Sequence, residues 1–599
     1  MRSFRLSLAA TTVALALHGA NASAQFSNAF AVGDSLSDAG QYGARFTTNP
    51  GLVAPQYLAQ RYGLALTPSF TGGNDFAQGG AQISGPSPLV PTGVPNLSVT
   101  DQVSQLLSRG PLDPNAIYEF WGGSNDILVI AGAGAAGQLA PAQVQGAVVQ
   151  AATGAVAQLG RLRAAGARYL IVYDVPDIGR TPFAASQNAQ ATFTSLSTLF
   201  DTTLNAGIAG TGLQVVHVNV FALLNEAIAN PAAFGFTNAT IPACTTESAL
   251  NCTPATLRDP NAALTFLFAD GLHPTTRSAQ IVAQAAASMI EGPAKIGVLA
   301  EAPLGVEQAT FRAIDSRMIS ALDAPAERER FTAWASYDYG HNDFDGRFVS
   351  GDADVNTVAA GGDMKITDRL LAGVAFGYSE NRGDFGGDSG GYKLNETTGT
   401  AYVGYGGGPW YVGATLGAGD LDYRDVHRAF DLGALRRTER GDTSGWQVTG
   451  SVLGGYWFSY ADWLHGPFVR LAWQEIRVKG FAEQGSDSTA LSYGEQRRKS
   501  FVSTLGWQVA GQVGNVRPFA RLAWEFEGKD DERFVSATPV GLSGTYSVPT
   551  IRPDDNYLRY VIGASADFGR VTGYLVGSGT AGRSDGNGYG ITVGVRLPL

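Results

Sequence analysis

A serine at position 35, an amide at Asn125, and an Asp270 three residues ahead of His273 are the residue types that acyl transfer needs. They supply a nucleophile, an oxyanion donor, a base and a group to orient the base. Each stands in a short block: Gly33-Asp34-Ser35-Leu36, Gly122-Gly123-Ser124-Asn125-Asp126 and Asp270-Gly271-Leu272-His273-Pro274. A serine hydroxyl needs a base at neutral pH, and imidazole suits because it titrates near ~6.5. The chain has six histidines. His18 falls in an N-terminal leader, and His341, His427 and His465 fall in the second half of the chain. His217 lies inside a strand-like run, Val215-Val216-His217-Val218, where a structurally satisfied ring is expected. His273 remains, with Asp270 placed to turn back and hold its tautomer.

The elements that must position these groups alternate along residues 26–290. Ala29–Val32, Ile117–Trp121, Tyr169–Tyr173 and Val215–Val220 are short, β-branched or aromatic runs bounded by turn residues. Helical spacing marks Val53–Tyr62, Thr100–Leu107, Pro141–Ala165 and Thr192–Ala206. Alternating strands and helices predict a parallel sheet covered on both faces, with its site at the carboxyl ends of the strands. Ser35 and Asn125 each follow a predicted strand, as that requires.

The second half has a different period. Tyr589, Ile591, Val593, Val595, Leu597 and Leu599 alternate with Gly590, Thr592, Gly594, Arg596 and Pro598. Leu522, Trp524 and Phe526 likewise alternate with Arg521, Ala523 and Glu525, and Trp410, Val412 and Leu416 with Tyr411, Gly413 and Gly417. One face is apolar, the other small or charged, which suits a lipid-facing barrel with a wet lumen. About twelve such segments are expected, each near the ~10 residues that a tilted strand needs to cross a membrane. Between the halves, Phe311, Ile314, Met318 and Leu322 recur at helical spacing, and Pro325 should stop that helix.

Arg2 and Arg5, the apolar run from Leu6 to Leu17 and Ala22-Ser23-Ala24 read as a secretory signal with cleavage before Gln25. In an exported protein, the neighbouring Cys244 and Cys252 are expected to form a local disulfide. Their spacing and neighbours suit no metal site. The formal net charge of −11, with no basic stretch to offset it, argues against nucleic-acid binding.

The order and spacing of the three blocks resemble the GDSL (SGNH) family of esterases and lipases, over about Phe26 to Ile290. With the barrel half, the whole resembles a GDSL-type autotransporter esterase. The resemblance implies a flavodoxin-like α/β three-layer sandwich as passenger. It implies further a linker helix through the lumen of a C-terminal, 12-stranded, all-β transmembrane barrel. The expected domains are a signal peptide (1–24), the passenger (25–295), the linker helix (296–325) and the barrel (326–599). Asn74-Asp75-Phe76-Ala77-Gln78-Gly79-Gly80-Ala81 is similar to the family's second block. It implies Gly80 as an oxyanion donor, with Gly79 as the alternative, beside the N–H of Ser35 and the amide of Asn125.

Two decoys occur. Gly387-Asp388-Ser389-Gly390-Gly391 matches a Gly-x-Ser-x-Gly nucleophile motif, but it lies between two predicted barrel strands and is expected to be a turn. Asp126 would oppose an oxyanion if it were a catalyst, so a structural role is expected. The expected function is hydrolysis of acyl esters through a serine acyl-enzyme at the outer surface of the bacterial outer membrane. No cofactor or metal is expected. The partners expected are the acyl-ester substrate, outer-membrane lipid and the outer-membrane assembly machinery, with the protein as a monomer. The same residues would serve a thioesterase or lysophospholipase; an adhesin passenger would leave them unused.

Overall fold

Four apolar runs become parallel strands paired in chain order: β1 (Ala29–Gly33), β2 (Ile117–Trp121), β3 (Tyr169–Tyr173) and β4 (Val216–Val218). The register sets Ala29 beside Ile117, Ile117 beside Tyr169 and Ile171 beside Val216. On the free side of β1, Phe76 N–H donates to the Ala31 carbonyl and Ala31 N–H to that of Asn74. The five extended segments therefore run in the order 2-1-3-4-5, the flavodoxin-like order. This computed structural model describes residues 25–306, 312, 314, 315, 317, 318, 331–485 and 487–599. The expected signal peptide, and Phe311 and Leu322 of the expected linker helix, lie outside the described residues.

Alternate strand residues feed opposite faces. Tyr118, Phe120, Leu170 and Val172 pack with α2 (Val99–Leu107), α3 (Ser124–Ala135), α4 (Pro141–Ala164) and α6 (Gln190–Thr211). Ile117, Trp121, Tyr169, Ile171 and Tyr173 pack with α1 (Ala54–Arg61), α7 (Val220–Ala229) and α9 (Thr276–Gly297). Two short helices, α5 (Pro182–Ser186) and α8 (Ala262–Thr265), complete the set. Each fully buried Leu, Ile or Phe on these faces contributes about 1.5–3 kcal/mol. The last strand is shorter than its sequence run because Asn219 caps a helix there, its side chain accepting the Ala222 N–H.

Residues 331–598 form the barrel. Twelve antiparallel strands close on themselves: Gly588–Pro598 pairs with Phe331–Asp345, and Leu435–Tyr456 with Trp463–Val478. The alternation holds: Leu522, Trp524, Ile591, Val593 and Val595 face outward, while Ala523, Glu525 and Thr592 are buried within. Several strands are far longer than a crossing requires, reaching 23 residues in Trp410–Leu432. The surplus rises beyond the bilayer and is joined there by a four-stranded sheet: Phe481–Ala482, Leu491–Tyr493, Phe534–Pro539 and Tyr546–Pro549.

Inside the barrel, the helical residues Ile314 and Met318 pack with Trp334, Leu371 and Tyr402. Arg312 pairs with Asp338 at 2.7 Å, Arg317 with Asp363 at 2.7 Å and Asp315 with Arg470 at 2.8 Å, so the helix is held to several walls.

The junction differs from expectation. The sequence division sets the boundary between passenger and linker helix at 295/296. Instead α9 runs unbroken to Gly297, and nearly every residue from Gly292 to Ala302 is buried. A Cβ on Gly292 would stand 3.1–3.3 Å from Leu491, Arg428 and Tyr493, so glycine lets the barrel rim close onto the helix. The small, mixed composition that reads as a linker in sequence is a packing surface.

Candidate active site

β1 delivers the serine. A Cβ on Gly33 would lie 2.0 Å from the Trp121 carbonyl oxygen, so only glycine lets β1 end against β2. The Gln102 side chain from α2 accepts the Gly33 N–H (2.8 Å) and donates to the Gly33 carbonyl (2.9 Å). Asp34 N–H donates to Trp121, and Asp34 Oδ1 accepts from Leu36 N–H, which turns the chain and presents Ser35 at the carboxyl end of the sheet.

His273 reaches Ser35 from the turn before α9. Its Nε2 lies 3.0 Å from Ser35 Oγ, within range for proton transfer. Its Nδ1 lies 2.8 Å from Asp270 Oδ2. Asp270 Oδ1 accepts the N–H groups of Leu272 and His273, each at 2.8 Å, so the three-residue spacing folds back on itself. Thr275 then caps α9 by accepting the Ser278 N–H.

The electrostatics suit a base. Burial works against a charged imidazole, but the Asp270 carboxylate, and more weakly Asp34, outweigh it and raise the His273 pKa above 6.5. Burial raises Asp270 in turn, yet His273 and the N–H donors bring its carboxyl down to about 2. Asp34 and Asp126 are each pushed up to about 7 by burial.

Among the described residues, the N–H groups of Ser35 and Gly80 donate to no protein acceptor. Asn125, in the first turn of α3, donates one amide hydrogen to the Ala81 carbonyl (3.0 Å) and keeps the other. Gly79 N–H is instead taken by Asp38 Oδ2 at 2.9 Å. Gly80, at φ +79°, occupies backbone space that favours glycine. Phe46 packs at a tilt beside His273 (centroids 5.0 Å apart) and Val90 lies over Gly80, giving this cleft apolar walls.

The other sequence candidates fall elsewhere. His217 is fully buried, 2.6 Å from Asp174, with its second nitrogen on the Ser543 carbonyl of the barrel rim. Asp126 accepts the Ile83 N–H. Ser389 donates to the Gly386 carbonyl in a turn between barrel strands. Cys244 and Cys252 are bonded, with Cα atoms 5.6 Å apart. Residues that sequence reasoning missed include Asp38, which ties Gly40, Gln41 and Gly79 together, and Asp75, which holds Ala39 and Ala77. Asp75 sits inside the Asn74–Ala81 block and Asp38 two residues past the serine block, which was the available signal. Gln102 carried none.

Comparison with known proteins agrees with this division of the chain. The family model described as GDSL-like lipase/acylhydrolase matches residues 30–286, and that of the autotransporter beta-domain matches residues 333–579. An uncharacterized protein from the trpE-trpG intergenic region of Pseudomonas putida is 30% identical over 549 residues, spanning 85% of this chain and 90% of that one. Esterase EstA of Pseudomonas aeruginosa is 28% identical over 602 residues, 90% of each chain. Lipase 1 of Photorhabdus luminescens is 27% identical over 650 residues, 92% of this chain and 93% of that one.

Proposed function

Given that the chain belongs to the GDSL-like lipase/acylhydrolase family, in the form that carries an autotransporter beta-domain, we propose that Ser35, His273 and Asp270 are its catalytic triad. The protein is an ester hydrolase of the outer membrane, with its passenger on the cell surface. The observation that carries the triad is the unbroken line of contacts from Ser35 Oγ to His273 to Asp270.

Ser35 Oγ attacks the ester carbonyl as His273 Nε2 takes its proton. Asp270 steadies the imidazolium that forms. The N–H groups of Ser35 and Gly80 and the amide of Asn125 receive the oxyanion. Collapse expels the alcohol, which takes the proton from His273 and leaves an acyl group on Ser35. Water then attacks that ester, His273 again accepting and returning the proton, and the carboxylic acid leaves. Gly80 is favoured over Gly79 because the Gly79 N–H is already committed to Asp38. Every group comes from one chain, which supports a monomer, and the Phe46 and Val90 walls favour an apolar acyl group.

A fluorophosphonate probe tests the reading. It should label the full-length protein at Ser35 and nowhere else, and Ser35→Ala should abolish labelling. Equal labelling of that variant would overturn the assignment.

A further inference from the structure

The loop between Cys244 and Cys252 lies against the acid of the triad. Ala249, within that loop, donates its N–H to Asp270 Oδ2 at 2.7 Å, the oxygen that also faces His273 Nδ1. The other N–H groups on Asp270, from Leu272 and His273, belong to its own turn and move with it. Among the described residues, Ala249 is thus the one donor that ties this carboxylate to the rest of the molecule.

The loop is well placed to hold it. Cys244 N–H donates to the Ala269 carbonyl, beside Asp270, and Ala269 N–H to that of His273. On its other side, Asn49 donates its side-chain amide to the Ala249 carbonyl (3.0 Å) and its N–H to the Cys252 carbonyl (2.9 Å). The same Asn49 amide caps the carbonyls of Arg45 and Thr47, which flank Phe46. Cys244, Cys252, Ala249 and Ala269 share one buried apolar cluster. The disulfide joins residues only eight positions apart, on either side of the Ala249 amide, so a covalent tie limits how far that amide can drift.

We propose that the Cys244–Cys252 loop is a positioning element for catalysis, fixing Asp270 through the Ala249 N–H and thereby the angle at which His273 meets Ser35. The proposal rests on the triad reading above. Opening the loop leaves Asp270 charged but loosely aimed. The imidazole is then less well oriented, and its pKa falls back toward that of a buried histidine without a partner.

The test uses the full-length protein in detergent, in three forms. One is Cys244→Ser with Cys252→Ser. The second is wild type treated with a dithiol, which leaves two cysteine thiols and converts the reagent to its cyclic disulfide. The third is Ala249→Pro: Ala249 opens a 3₁₀ turn and Ser248 before it is extended (φ −118°, ψ 137°), so proline suits the backbone and removes that N–H alone. Rates are taken per active site titrated with the fluorophosphonate. All forms that fold should lose kcat by roughly ten- to a hundredfold, the scale of a small misplacement in a catalytic group, with KM little changed. The acid limb of kcat/KM should move to lower pH. If only the melting temperature falls, while kcat per site and the acid limb stay put, the proposal is overturned. Should Ala249→Pro fail to fold, the dithiol and serine arms decide. Wild type that does not label at Ser35 would instead sink the triad reading, a separate result.

Discussion

In the passenger, the buried acids around the site are met mainly by backbone. Asp38 accepts three N–H groups, Asp75 two, Asp126 one and Asp270 three. In the barrel, buried acids meet arginines: Glu483 faces Arg428, Asp363 faces Arg317, Glu525 faces Arg559, and Glu527 shares Arg498 with Glu301. The difference follows from what each half must hold. The passenger's acids pin loops at one end of a sheet, where free N–H groups are abundant and a carboxylate is a compact acceptor. The barrel wall has spent most of its N–H groups on neighbouring strands, so these inward charges are matched by arginines even where, as at Glu483 and Glu527, a backbone N–H also donates. One arrangement leaves carboxylates tuned by burial and close to the chemistry. The other builds a fastened plug.

That contrast predicts that chemistry and assembly separate cleanly at Ser35. Ser35→Ala should lower kcat by about a million-fold, the scale for loss of a triad nucleophile. The closed barrel should still resist detergent, seen as a mobility shift between unboiled and boiled gel samples. Substantial residual hydrolysis, or loss of that shift, would break the separation.

A second experiment attacks the pairing in the barrel. Arg428 is 1% exposed, bonds both carboxylate oxygens of Glu483 (2.6 and 2.8 Å) and also donates to the Ser288 carbonyl of α9. Arg428→Met leaves a buried carboxylate without its cation and should destabilise the folded protein by about 3–5 kcal/mol. Adding Glu483→Gln should recover part of that loss. The unfolding midpoint of the full-length protein in denaturant reads both. Because the helix after His273 is what Arg428 grips, the single variant should also expose α9 to protease. Equal stability of wild type and Arg428→Met would mean the rim and the passenger share no cooperative core.

Within the passenger, the uncommitted donors can be tested one at a time. Asn125→Ala should lower kcat by about 10²–10³-fold with KM nearly constant, as for an oxyanion donor. A change confined to KM would make Asn125 a ground-state contact. The Ala81 carbonyl would lose its partner in the same variant, so a melting curve is needed to separate folding from rate.

Much of this was legible in the chain, and unevenly so. Ser35, Asn125, Asp270 and His273 stand in compact blocks whose residue types have few other uses together, and β1 to β3 announce themselves as short β-branched runs. The barrel's alternation is visible because each strand obeys a local period. The partners of α9 are not local. Arg428, Leu491 and Tyr546 lie 130 or more residues further on, so the burial of this helix on all sides leaves no local period to read. The Ala249–Asp270 contact is invisible for a related reason: a backbone donor leaves no residue-type signature.

The smallest effect concerns the cleft walls and asks whether the passenger's tuning extends to its substrate. Phe46 and Val90 approach the two glycines of the oxyanion block so closely that a Cβ on Gly79 would lie 2.1 Å from the Phe46 ring, and one on Gly80 2.6 Å from Val90 Cγ2. Phe46 also flanks His273 and is only partly covered, so it can meet an acyl chain bound at Ser35. Removing its ring lengthens the cleft without touching a hydrogen bond of the triad. Phe46→Ala should therefore shift kcat/KM toward longer acyl esters, changing the long-to-short ratio by about tenfold, within the 1–3 kcal/mol that a methylene contact is worth in an apolar pocket. A series of p-nitrophenyl esters of increasing chain length measures it. If every ester slows by the same factor, Phe46 acts only by holding His273, and the acyl chain leaves the site by another path. A changed ratio with kcat for short esters preserved would put the ring in the specificity wall and keep the acid-pinned loops as the scaffold behind it.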